Sequence, residues 1–305
     1  MRSVFKGCAA ALMLAALSAC QAPLPRQQGA PVAASFDCPV AAGVKAEYVG
    51  PYRGLDNDIP AADLARDTYC GEVFKASRYP NGFVTVFGSS RIREANEACL
   101  PGGPCDPQLK ARYDALYGAV RTFAADWSRR FGQQYPVMAG AGPGLMEAAN
   151  RGAAEGGGPS IGYTTYYDRS PSPSPQRPYG GDPAKAFNPY VTNGLIFTSV
   201  AVREAAMVRH SAAIVIAPGG TGTEWETYQA LEMIKSSQLR RIPVYFLGDR
   251  TLWSGLEARI QGLVAQRVVA ADELRFIRFA SAPEALVAAL AADLGLQPPP
   301  GPPVK

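Results

Sequence analysis

From about residue 80 onward, short apolar runs alternate with longer stretches of helical spacing. Phe83-Val84-Thr85-Val86-Phe87 is an apolar run closed by Gly88, which predicts a buried strand. Leu109 to Phe131 follows with helical periodicity. Pro136 to Ala139 predicts a strand, Gly144 to Glu155 a helix, and Ser160 to Tyr166 a strand. Ser199 to Ser211 predicts a helix, Ala213 to Ala217 a strand, and Thr223 to Ser237 a helix. Ile242 to Leu247, Thr251 to Gln266, Arg275 to Phe279 and Pro283 to Leu294 repeat the strand–helix rhythm. Wholly apolar strands between helices imply an α/β fold, a Rossmann-like parallel sheet with helices on both faces. Ligands of such sheets bind at the carboxyl ends of the strands.

The flanks follow other rules. Arg2 and Lys6 precede an apolar stretch, Cys8 to Leu17, and Leu17-Ser18-Ala19-Cys20 then sets small residues before a cysteine. This reads as an export signal over residues 1–19, too short for a comfortable bilayer span. Its ending resembles a bacterial lipobox, with Cys20 as the lipidated residue; an ordinary cleaved signal is the alternative. Gln21 after it resembles outer-membrane sorting. The expectation is an exported lipoprotein of the cell envelope or periplasm, held to the membrane only by its lipid. Residues 20–35, rich in Pro, Gln and Ala, read as a flexible tether. Residues 36–80 form an N-terminal extension without a clear pattern. Residues 81–296 carry the domain, and the proline-rich 297–305 read as a disordered tail. Ser170 to Pro183, with repeated Ser-Pro, reads as a loop, either a lid or a plain surface insertion.

The chain has 305 residues and a formal net charge of +4, with no basic stripe, so nothing indicates a nucleic-acid partner. Beyond Cys20 the chain has Cys38, Cys70, Cys99 and Cys105, an even number that suits an oxidising compartment. Cys99 and Cys105 flank a turn-rich Leu-Pro-Gly-Gly-Pro and are expected to pair, leaving Cys38 with Cys70. Zinc is the rival reading, but the spacing fits zinc knuckles poorly and His210 is the chain's one histidine, so no metal is expected.

Three strands end in glycine-rich turns. Pro218-Gly219-Gly220-Thr221-Gly222-Thr223 precedes a helix whose free N–H groups and positive dipole end suit a phosphate. The Lys-Ser/Thr of a P-loop is missing, so triphosphate chemistry has no support. Gly140-Ala141-Gly142-Pro143-Gly144 and Gly88-Ser89-Ser90 are the other two, and neither completes a dinucleotide fingerprint. Each alone reads equally as a tight strand-to-helix turn. Glu226 lies past the phosphate cradle, where it would face a ribose; a favourable first-turn acid is the plainer reading. Glu224 should point about 200° away. Arg203 and Met207, four residues apart, share a helix face. A lone helix arginine usually faces solvent.

Together these residues resemble the LOG (Lonely Guy) family signature. Arg203, Met207 and Pro218 through Glu226 are similar to R-K-x-x-M followed by P-G-G-x-G-T-x-x-E. Phe87 to Ser90, Gly142 to Gly152 and Asn188-Pro189-Tyr190 resemble further stretches of the family. The resemblance implies a Rossmann-like homodimer that hydrolyses AMP or a cytokinin riboside monophosphate to free base and ribose 5-phosphate, without metal or organic cofactor. By motif position it makes Arg203 and Glu226 catalytic. It assigns the nucleotide to Ser89, Ser90, Gly142, Gly144, Glu147, Met207, Gly219, Gly220, Thr221, Gly222 and Thr223. Two departures stand out: Glu204 occupies the usual lysine position, and Ala212 replaces a common aspartate. A non-catalytic nucleotide sensor of the cell envelope is the alternative these raise. Decarboxylation on pyridoxal phosphate would need a cofactor lysine. Lys235 lies far from the glycine turn. A Ser-His-Asp hydrolase lacks its G-x-S-x-G, and His210 reads as a packed helix residue.

Overall fold

The computed structural model describes residues 35–53, 55–94, 106–166 and 182–297. The chain divides into two units, Met1–Ser35 and Phe36–Lys305, and the first lies, but for Ser35, outside the described residues. The signal with Cys20, the Cys99–Cys105 pairing and nearly all of the Ser170–Pro183 loop lie outside them as well.

Eight parallel strands form one sheet in the order β1-β5-β4-β3-β2-β6-β7-β8. They are β1 (Tyr48–Val49), β2 (Phe83–Phe87), β3 (Val137–Ala139), β4 (Ser160–Thr165), β5 (Asn193–Phe197), β6 (Ser211–Ile216), β7 (Val244–Leu247) and β8 (Ile277–Ala280). The helices are α1 (Ala61–Arg78), α2 (Pro107–Phe131), α3 (Leu145–Glu155), α4 (Val200–Arg209), α5 (Thr221–Lys235), α6 (Ser254–Ala265) and α7 (Pro283–Asp293). This is the Rossmann-like α/β sheet that the alternating pattern implies. The order in which the chain adds strands reverses at β2, which pairs with β3 on one side and β6 on the other. The carboxyl ends of strands at such a reversal are where ligands of open parallel sheets bind.

The sheet separates two apolar layers. Val84 and Val86 of β2 face Phe123 and Trp127 of α2, Leu145 of α3 and Leu286 of α7. Phe83 and Phe87 face the other way, with Phe74 of α1, Met207 of α4 and Leu231 of α5. The alternation along one strand is that of a pleat buried on both sides.

Several elements had no sequence signal. The α1 helix buries Asp63, Asp67, Cys70, Gly71 and Phe74, a face with two carboxylates and a glycine among five positions. No apolar stripe marks such a helix. The β5 strand is five residues starting Asn-Gly, too short and too glycine-led to stand out. The expected helix over 251–266 is in fact a 3-10 turn, Arg250–Trp253, followed by α6. The α5 helix opens at Thr221, two residues before the expected start, because Gly220 takes the extended conformation of an N-cap.

The N-terminal extension is part of this fold. Tyr48 and Val49 extend the sheet edge by pairing with Leu195 and Ile196. The Asp67 carboxylate, fully buried, accepts from the Thr198 and Ser199 amides at 2.9–3.0 Å and from the Tyr48 hydroxyl at 2.6 Å. Burial pushes the Asp67 carboxyl up, opposed by those hydrogen bonds. The Ser199 hydroxyl caps α4 through the Val202 amide and itself donates to Asp56. So α1 and the turn before it set the start of α4.

A Cys38–Cys70 disulfide ties the incoming chain to α1 across 32 residues. Closing a loop of that length restricts the unfolded chain by about 3–4 kcal/mol. A Cys38→Ala/Cys70→Ala protein should lose about that much unfolding free energy in urea titrations, with the sheet retained by circular dichroism.

Candidate functional site

The three glycine turns meet at the strand reversal, and they are stitched together by backbone. The Ser89 amide donates to the Pro218 carbonyl at 3.2 Å, and the Leu145 amide donates to the Ser89 carbonyl at 2.9 Å. Gly144 sits at φ +74°, packed on the backbone of Ser89 and Ser90, where a side chain would collide with both. Gly142 is buried, with the Met146 methyl over it. These glycines first permit close approach between turns. Ser89 and Ser90 are half-buried at the rim; the Ser89 hydroxyl accepts from the Arg91 amide.

Asn188 braces the same corner from below. Its amide group donates to the Gly142 carbonyl at 3.2 Å and to the Asn150 side-chain oxygen at 2.9 Å, and its backbone amide donates to Ala141. Asn150 in turn donates to Ser160 and to the Ile161 carbonyl. Both asparagines are buried; Asn188 fixes the β3–α3 turn, and Asn150 ties α3 to β4.

The cradle before α5 is open. Gly219, Gly220, Thr221 and Gly222 are exposed, while Thr223 is buried with its side chain against Gly219. The first amide bonded back within the helix is Glu224 to Gly220. The amides of Thr221, Gly222 and Thr223 belong to the unpaired first turn that an anion can occupy.

Behind the cradle lies the charged centre. Arg203 is only 1 % exposed, one of the largest fully buried side chains in the chain. Its Nε donates to the Tyr163 carbonyl at 2.9 Å, its Nη1 bonds the Glu204 carboxylate, and its Nη2 lies over Gly140. A side chain at 140 would occupy the guanidinium's place. Glu204 and Glu226 are 3 % and 8 % exposed, and the Glu204 carboxyl bears on Glu226. Burial, then the facing Glu204 charge, hold the Glu226 carboxyl well above the usual carboxylate range, against the pull of Arg203.

The structure thus brings Arg203 and Glu226 together, with the glycine turn at the head of the same helix. The solvent-facing arginine expected of a lone helix position is replaced by a buried one. Glu224 is exposed, away from the centre. Met207 is fully buried in the apolar layer with Phe74 and Leu231. Glu147 accepts from the Tyr117 hydroxyl of α2 at 3.2 Å. Sequence reasoning noticed Glu204 only as a departure, had Asn150 only as one position of the Gly142–Gly152 stretch, and missed Tyr163. No local motif marks Tyr163, because it acts through its backbone carbonyl. Lys235 sits at the far end of α5, paired with Glu232 at 3.1 Å. His210 is buried between the Tyr163 hydroxyl and Glu72. Among the described residues, no group of three or more His, Cys, Asp or Glu could hold a metal, and no helix is long and apolar enough to cross a membrane.

Comparison with known proteins gives a match to one family model and a set of similar solved structures. A family model described as possible lysine decarboxylase matches residues 146–290, which include the α4 arginine and the α5 turn. No curated protein matches the sequence. Similar solved structures include the molybdenum cofactor binding protein from the phototrophic bacterium Rippkaea orientalis, at 18% identity and TM-score 0.44, covering 70% of this chain and 97% of that one. The molybdenum cofactor carrier protein from Chlamydomonas reinhardtii is similar at 15% identity and TM-score 0.45, covering 70% and 99%. TM1055 is similar at 18% identity and TM-score 0.44, covering 69% and 99%.

The raised Glu226 has a consequence for stability. The folded state holds a proton that the unfolded chain releases near the ordinary value of 4.5. Stability must then fall as pH rises from that value through the folded one, by up to about 1.4 kcal/mol per pH unit. Glu226→Gln should flatten that decline, read as the difference between the two proteins' urea midpoints across the pH range.

Proposed function

We propose that the protein is a nucleoside 5′-monophosphate phosphoribohydrolase, cleaving the N-glycosidic bond of a purine nucleotide such as AMP. The observation that carries this reading is the buried Arg203–Glu204–Glu226 cluster behind an open helix N-terminus. Burying a guanidinium and two carboxyls is costly for a purely structural purpose. An enzyme gains from such a cluster, because charges held away from water act strongly on a developing ionic transition state.

The roles follow from position. The Gly219–Thr223 turn takes the phosphate on its amides, and the Thr221 and Thr223 hydroxyls add donors. A phosphate there directs the ribose inward, toward Glu226. The glycosidic bond lengthens, and positive charge grows on the sugar, as in other glycoside cleavages. Arg203, fixed by the Tyr163 carbonyl and by Glu204, holds the carboxyl cluster in place. Ser89 and Ser90 lie at the rim where the base would rest. The matched family's lysine decarboxylase description finds no support in Lys235, whose ammonium is at the wrong end of α5. A homodimer belongs to the same reading: Trp225 and Tyr228 expose aromatic surface on α5, next to the cradle.

Purified protein with AMP should release adenine and ribose 5-phosphate, followed by chromatography of the base. Glu226→Ala should lower turnover by at least about a hundredfold. Equal rates in the two proteins would remove Glu226 from the mechanism. Nucleotide binding without base release would instead favour a sensor.

A further inference from the structure

We propose that Glu204 and Glu226 hold a single proton between them beside the Arg203 guanidinium, and that Glu226 hands this proton to the departing base. The inference deepens the phosphoribohydrolase reading and rests on it for the delivery step.

The argument begins with charge. One guanidinium and two carboxyls share a nearly dry site, each less than a tenth exposed. With both carboxyls ionised the cluster carries −1. With both protonated it carries +1. With one proton it is neutral, and burial favours that state. Arg203 settles where the proton rests. Its Nη1 is bonded to Glu204, so negative charge is neutralised on that side and the proton lies on Glu226.

Among the described residues, Arg203 and Glu204 of α4 are the charged groups that bear on Glu226. The α3 helix brings the Met146 sulfur beside the Arg203 guanidinium at Gly140, and β4 brings the Tyr163 carbonyl to Arg203, neither of them charged.

A protonated acid at this place answers the one need that Arg203 and the phosphate turn leave unmet. As the glycosidic C–N bond breaks, its electron pair passes to the base nitrogen, and the Glu226 proton neutralises the base. The ionised pair left behind faces the cationic sugar. Water adds to the anomeric carbon and gives one proton to Glu226. One water is consumed, one C–O bond replaces the C–N bond, and the cluster returns to its starting state. Glu204 acts through Glu226 and is a positioning residue.

The test separates the shared proton from the activity. Infrared spectra of the nucleotide-free protein should show the carbonyl stretch of a protonated carboxylic acid at neutral pH. Glu226→Gln should abolish it. Glu204→Gln should abolish it too, because the neutral amide leaves Arg203 to be balanced by Glu226 alone. In AMP cleavage, wild type should lose activity as pH rises through the pair's ionisation, and Glu204→Gln should move that limb down by about one pH unit or more. A wild type without the band at neutral pH overturns the shared proton, whatever its activity. A band unchanged in both variants does the same. A wild type that has the band but cleaves no nucleoside monophosphate keeps the shared proton and overturns the delivery step together with the phosphoribohydrolase reading.

Discussion

A cation buried to 1 % exposure governs this structure, because Arg203 must be satisfied on every side without water. The Tyr163 carbonyl takes one donor, Glu204 takes another, and Gly140 leaves the space that the guanidinium fills. Each partner comes from a different element: β4, α4 itself and the turn after β3. The strand order brings those three to one end of the sheet. A shift of any of these elements by a residue would take a partner away from the guanidinium. The site is thus a tight constraint on register as well as a place for chemistry.

The N-terminal extension answers a second requirement. The α4 helix carries Arg203 and Glu204, so its start must be fixed. Asp67 does this from α1 through two backbone amides, and Asp56 reaches the capping serine. These carboxylates sit at the positive end of the helix, where negative charge is favourable. The extension therefore reaches the chemistry through α4, although it contributes no residue to the cluster itself.

Much of this was legible in the chain. Apolar runs such as Phe83 to Phe87 and Ala213 to Ala217 signal buried parallel strands, because both faces of the sheet are covered. The glycine turns at their ends were legible too, since tight turns need that residue. The α1 helix was not, since its inward face is built of Asp63, Asp67 and Gly71, which read as a polar surface. Burial of Arg203 and Glu204 was equally hidden. Charge at adjacent helix positions looks like a solvated face until the sheet closes over it. Glu204 registered only as an unexpected residue at a motif position, and its partner lies 22 positions on, in another helix.

The Asp67 contacts also bear on the order of assembly. The α1 helix leaves the ribosome early, yet its carboxylate binds amides 131 residues further along. Until β5 and the first turn of α4 exist, α1 has a polar face with nothing to receive it. Its docking is a late, long-range event, costly in loop entropy and slow for that reason. The half-made chain meanwhile exposes Phe83 and Phe87 of β2, which share an apolar layer with Phe74 of α1 in the finished fold. Surfaces of that kind attract chaperones and neighbouring nascent chains alike.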